Sequence, residues 1–224
     1  MHQRPPIRPP TESRQFTNRV LTELRDTHFT PRGWATFLGR CGARSWAQAR
    51  THPRAAIEIC AVHAALLPVA RRRPFTLLGS WLLAIAHLGL LEPEARSIGA
   101  ANALSLLRAN LPLGRRAPLI AMATDVADGW LARRRRPSAF GGYADALADV
   151  VFWSRFAASR SGPWLGSLAV AAWAAPATAI LVASFVSGRA IAYPRPLLVR
   201  RQSAVLQCLI AATALAAGQA AREG

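Results

Sequence analysis

The chain has no lysine: all 28 of its basic residues are arginine. Acid is scarce as well. There are 11 carboxylates, five of them aspartate, which leaves a formal charge of +17. The three cysteines, Cys41, Cys60 and Cys208, are too widely spaced for a zinc site or a disulfide framework. Cys60 and Cys208 stand in apolar runs, where packing roles are expected. Strict polar–apolar alternation is missing, which argues against strands, and no repeat of fixed period occurs. The N-terminal stretch has no apolar core of the signal-peptide kind, so a cleaved targeting segment is not expected.

What is present is apolar and strongly basic. Of 224 residues, 52% are hydrophobic, and the length suits one domain with a small extension. A charge of this sign points to nucleic acid, an anionic membrane surface or a phosphorylated substrate. Its distribution selects among them. The arginines gather between long uncharged stretches, whereas a nucleic-acid domain spreads them over a polar surface. A membrane protein with no nucleic-acid partner is the expectation, and a basic membrane-associated scaffold is the rival.

Residues 1–54 form the basic extension, with ten arginines against Glu12, Glu23 and Asp26. Its opening, MHQRPPIRPP, has the composition of a disordered segment. Phe16, Val20, Leu21 and Leu24 then recur at helical spacing, as do Trp34, Phe37, Leu38 and Cys41 with Arg40 and Arg44 between them. Such faces suit helices lying on an anionic leaflet, or packed against the rest of the fold.

Residues 55–224 form the expected membrane-embedded domain. Apolar segments cover 55–70, 75–91, 117–132, 146–158, 164–187 and 203–221, about six membrane segments of an all-α bundle. Breaks separate them at Arg71-Arg72-Arg73-Pro74, Glu92-Pro93-Glu94, Arg133 to Pro137, Gly162-Pro163 and Tyr193-Pro194-Arg195-Pro196. Short cytoplasmic loops carry excess positive charge. The clusters at 71–73, 133–136 and 189–201, together with residues 1–54, are therefore expected on the cytoplasmic face of the inner membrane. Glu92-Pro93-Glu94 is expected on the outer side.

Four of the five aspartates fall between positions 125 and 149, in the run ATDVADGWLARRRRPSAFGGYADALADVVFW. Asp125 and Asp128 are three apart, and Asp145 and Asp149 four apart, so each pair shares a helix face. Pro137, Gly141 and Gly142 break the chain between them. Two antiparallel helices would then aim four carboxylates into one space. In a membrane each costs at least about 2.5–3.5 kcal/mol to bury. Mg²⁺ or Mn²⁺ would neutralise them, because hard cations take carboxylate oxygens. Pairing with Arg133 to Arg136 at a solvated helix end is the alternative.

The pattern D-x-x-D-G-x-x-A-R followed by G-x-x-x-D-x-x-x-D resembles the signature of the CDP-alcohol phosphatidyltransferases. Asp125, Asp128, Gly129, Ala132, Arg133, Gly141, Asp145 and Asp149 carry it. The spacer from Arg133 to Gly141 holds seven residues, one fewer than is usual in that family. The resemblance implies a multi-pass membrane enzyme, possible as a homodimer, that moves a phosphatidyl or related phosphoalcohol group from a CDP-linked lipid donor to an alcohol acceptor, releasing CMP. It implies two Mg²⁺ or Mn²⁺ ions held by Asp125, Asp128, Asp145 and Asp149. Asp149 would also be the catalytic base, and Gly129, Ala132, Arg133 and Gly141 would bind the CDP moiety.

Upstream, NALSLLRANLP at 102–112 looks like the family's first-helix opening. Only 16 residues separate Arg108 from Asp125, about one crossing where the family has two. Either this first helix is truncated or Asn102 and Arg108 are not at the site. A basic pocket for a phosphorylated acceptor could come from Arg155, Arg189, Arg195, Arg200 and Arg201, which equally suit loop positions. Glu58, His63 and His87, in apolar segments, read as partners of arginine or as buried polar groups. A catalytically inactive protein of the same fold is the remaining rival.

Overall fold

A computed structural model describes residues 11–70, 73–91, 95–134, 138–160, 162–191 and 197–223, without the side chains of 70, 197–201 and 218–223. The opening MHQRPPIRPP, Arg71 and Arg72, Glu92-Pro93-Glu94, Arg135 to Pro137 and 192–196 lie outside the described residues. Among the described residues all regular structure is helical, as expected.

The two basic amphipathic stretches are α1 (Glu12–Asp26) and α2 (Pro31–Thr51). Each starts on a threonine cap: Thr11 accepts from the Arg14 amide and Thr30 from the Gly33 amide. Val20, Leu21 and Leu24 of α1 are buried. Thr22 and Arg25 donate to the carbonyls of Gly188 and Ser187. Gly188 ends its helix in the left-handed region at φ 66° with Thr22 Cα close by, so glycine is required on both counts. The first helix is thus docked on the bundle, while Leu38 and Trp46 of the second stay exposed.

Next come α3 (Pro53–Ala70), α4 (Pro74–Ala86), α5 (Gly99–Ala109), α6 (Ala117–Arg134) and α7 (Ala139–Arg160). A returning limb follows, made of α8 (Pro163–Ala169), a π-helical turn at Val170–Ala174 and α9 (Ala175–Ser187). The last helix is α10 (Leu197–Glu223). The π turn directly precedes Pro176, whose missing N–H and bulky ring disfavour a regular α ladder there. It places Trp173 inside, stacked on Trp153 with ring centres 5.9 Å apart.

Two larger apolar cores and a small one around Leu66 and Leu77 join these helices among the described residues. Phe152, Trp153, Phe156 and Ala157 of α7 pack with Ala121, Trp173, Ile210 and Ala214. Ala55, Ile59, Ala84, Leu88, Leu106, Phe140 and Ala144 form the other. Pro163–Ser187 is one continuous limb long and apolar enough to cross a membrane. Pro74–Ala86 and Gln202–Ala217 are apolar but shorter.

α5 is only 11 residues, about 16 Å, roughly half of a bilayer core. Residues 110–116 continue without helix before α6 begins. The short interval noted in the sequence is therefore a half-length helix plus a non-helical segment. Leu111 and Leu113 of that segment are buried in the α7 core.

Two sequence expectations are corrected. Cys60 and Cys208 are exposed rather than packed, because α3 and α10 turn apolar faces outward. Arg73 does not share an end with Arg133. α3 starts beside Ser97 and Ile98 at the beginning of α5, and α4 returns from the end where Asn110 meets Ser80.

Candidate active site

α5 and α7 run parallel, and α6 runs antiparallel to both, so side chains at matched heights meet. Asn102 lies against Gly141, Ser105 against Asp128, and Arg108 against Asp125. A Cβ at Gly141 would stand 2.7 Å from Asn102 Oδ1, so this crossing needs glycine. The close approach brings all four aspartates of the motif around one guanidinium.

Arg108 is fully buried. Its Nη1 donates to Asp125 Oδ1 and Asp128 Oδ2, each at 3.0 Å. Its Nη2 donates to Asp145 Oδ1. Nε faces Asp149 Oδ1 at 3.5 Å. Ser105 Oγ adds a hydrogen bond to Asp128 Oδ2 at 3.0 Å. Asp128 and Asp149 are largely buried, whereas Asp125 and Asp145 are partly open. The carboxylates are thus paired with Arg108 of α5. Arg133 is exposed, and Arg134 lies over the Trp130 ring at 3.6 Å.

Carboxylates gathered this closely repel one another, and hard cations are one chemical means of bringing them together. Asp125, Asp145 and Asp149 fit this need. Each offers an oxygen, and the three atoms lie within 4.8 Å of one another, a spread that one small cation can span. Asp128 is set apart, facing Ser105 and Arg108.

Asp125, Asp145 and Asp149 open onto a cavity of about 710 Å³. Tyr143, Trp173, Pro176, Ser203 and Gln207 contribute to its other walls. The π turn and α10 therefore shape the space beside the carboxylates. Gly129 and Gly141 each lie one helical turn from an aspartate, toward the Arg133 end, and Ala132 and Arg133 continue that stripe. A Cβ at Gly129 would meet only Arg133 Nη1, at 3.3 Å, so helix packing does not demand this glycine.

The other flagged residues have structural partners. Glu58 receives Ser97 Oγ and the Ile98 amide, and so anchors the start of α5. His63 is buried against Ser80, to which Asn110 also donates. His87 stacks on Tyr143. Arg155 and Arg189 are not brought together. Arg155 bonds the Ala109 carbonyl, and Arg189 follows the Ser187–Gly188 turn held by α1. Arg195 and the side chains of Arg200 and Arg201 lie outside the described residues.

Sequence reasoning left Arg108 open and missed Ser105, Tyr143 and Gln207. The available signal was Asn102, Ser105 and Arg108 at steps of three in an apolar stretch. Assuming two full crossings before Asp125 hid it.

A family model described as CDP-alcohol phosphatidyltransferase matches residues 100–221, more than half of the chain and all of the site. The chain belongs to the CDP-alcohol phosphatidyltransferase family. Comparison with curated proteins and with solved structures gave no match.

Proposed function

We propose that this protein is a metal-dependent, multi-pass membrane enzyme that transfers a phosphatidyl or related phosphoalcohol group from a CDP-linked lipid to an acceptor hydroxyl, releasing CMP, in phospholipid synthesis. The observation that carries it is the convergence of Asp125, Asp128, Asp145 and Asp149 on one buried guanidinium, beside a cavity that reaches three of them. Four converging carboxylates serve no packing purpose and are costly away from water.

Asp125, Asp145 and Asp149 would hold Mg²⁺ or Mn²⁺, with Asp128 completing the set for a second ion. Bound there, such ions withdraw charge from a pyrophosphate and hold it for in-line attack. Arg108 keeps the carboxylates gathered and lowers their mutual repulsion. Asp149 takes the proton of the acceptor hydroxyl, as a general base placed among other carboxylates can. Gly129 and Ala132 leave backbone open to the nucleotide, Gly141 keeps Asn102 packed close beside the nucleotide site, and Arg133 meets a phosphate with its forked donors.

Exposed apolar side chains support the membrane reading. Phe75 is 87% exposed and Trp164 68%, and Leu181, Val182 and Val186 point outward from the long apolar limb. α1, α2, Arg133, Arg134 and Arg189 share one end, which suits an anionic cytoplasmic surface of the inner membrane.

The test is direct. Purified protein with CDP-diacylglycerol and Mn²⁺ is offered glycerol phosphate, inositol phosphate, serine and lipid alcohols, and CMP is measured. Release with one acceptor, lost in Asp149→Asn, is expected. The second reading is a catalytically inactive member of the family. It rests on Arg108, whose guanidinium is paired with the same carboxylates. No CMP with any acceptor, and no thermal response to Mn²⁺, would establish it.

A further inference from the structure

A second charged cluster lies farther along α7, toward the end of the bundle away from α1 and α2. Here Arg73 and Thr76 of the α4 start, Asn110 and its following segment, and Arg155 and Arg160 line a cavity of about 230 Å³. Among the described residues no Asp or Glu lines it. Arg73 Nη1 is buried with no hydrogen-bond partner. Arg155 is held in place by its bond to the Ala109 carbonyl at 3.2 Å. Three guanidinium groups stand around one small space, one of them with a buried unused donor, and no carboxylate among the described residues lines it. Guanidinium forks match phosphate oxygens in pairs, and the Thr76 hydroxyl can supply another donor.

The surroundings indicate where the phosphate comes from. Val69 and Phe75 flank the cavity at the α3–α4 corner with their apolar side chains exposed, and Leu78 follows one turn on. Trp164, also exposed, begins the limb that follows Arg160. A cationic pocket ringed by outward apolar and aromatic groups is what an interfacial headgroup meets, with acyl chains running along the apolar faces. We propose that this cavity binds the phosphate of an anionic phospholipid in the leaflet opposite α1 and α2, through Arg73, Arg155 and Arg160. The proposal requires a membrane but not the transfer reaction.

Thermal unfolding and native mass spectrometry of the detergent-purified protein test it. The probes are phosphatidylglycerol, phosphatidylcholine and inorganic phosphate. Phosphatidylglycerol should raise the unfolding temperature and stay bound, and phosphatidylcholine should do so far less. Arg73→Gln with Arg160→Gln should weaken phosphatidylglycerol about tenfold or more. Arg160→Gln alone, at an exposed position with little risk to folding, should weaken it in the same direction. An equal phosphatidylglycerol response in the wild type and both variants overturns the site. If inorganic phosphate shows the arginine dependence and phosphatidylglycerol does not, the lipid occupant is overturned in favour of a soluble one.

Discussion

Two clusters of charge lie about 9 Å apart along α7, six residues from Asp149 to Arg155, and they are opposite in kind. At the first, four carboxylates converge on the guanidinium of Arg108. At the second, Arg73, Arg155 and Arg160 face no carboxylate among the described residues. Both are stationed by α5. Its body presents Arg108, and its end presents the Ala109 carbonyl that fixes Arg155. The difference teaches that a charge deficit is a better guide to a ligand than charge itself. A buried imbalance is costly until it is completed, which is the ground for proposing cations at one cluster and an anion at the other.

The largest test of that contrast removes the shared post. Arg108→Met should leave four carboxylates without their partner and destabilise the protein by about 3–5 kcal/mol, as breaking a buried pair does. Thermal unfolding with chelator reads the loss. Added Mn²⁺ should recover more stability in this variant than in the wild type. No Mn²⁺ recovery would mean that the carboxylates do not take up cations.

Next in size is chemistry. Asp149→Asn keeps shape and removes the proton acceptor, and CMP release should fall by about 10²- to 10⁴-fold while the unfolding temperature stays near that of the wild type. Undiminished turnover would remove Asp149 from the mechanism.

Cation binding in the wild type should contribute about 2.7 kcal/mol of stability at a hundredfold excess over the dissociation constant. Mg²⁺ or Mn²⁺ titration followed by thermal unfolding measures it. Asp125→Ala with Asp145→Ala should abolish the response, whereas Arg73→Gln should leave it intact. Equal loss in both would merge the two clusters into one electrostatic unit.

The smallest effect separates neighbouring glycines. Gly142→Ala meets open space, and it should be neutral or stabilise the helix by up to about 1 kcal/mol. Gly141→Ala pushes on Asn102 and should lower both stability and CMP release. Chemical denaturation and turnover of the two variants check the pair.

Much of this was legible in advance because helix geometry is local. Steps of three and four placed Asp125 with Asp128 and Asp145 with Asp149, but Gly141 and Gly142, expected to break the chain, stand inside α7, where the neighbouring helix and not the local sequence decides. The motif identified the family from these positions alone. Arg108 was not legible as their partner. Its height against Asp125 depends on α5 ending at Ala109 and on the non-helical segment after it, which no periodicity announces. The outward faces of Cys60 and Cys208 were missed for a related reason. An apolar run does not say which of its faces packs inward, and α3 and α10 each turn apolar side chains outward.

The sequence by itself determined the all-helical class and the pairing of the four aspartates, which follow from composition and from spacings of about one helical turn, and it carried the motif whose resemblance points to the family. The tertiary structure alone decided which cation the aspartates meet, which walls enclose the cavity beside them, and that Arg73 stands with Arg155 rather than with Arg133. Those outcomes depend on the relative heights and directions of helices distant in sequence, which are set by packing contacts such as Asn102 on Gly141 and Trp153 on Trp173. Such contacts couple residues tens of positions apart, beyond the reach of any local pattern.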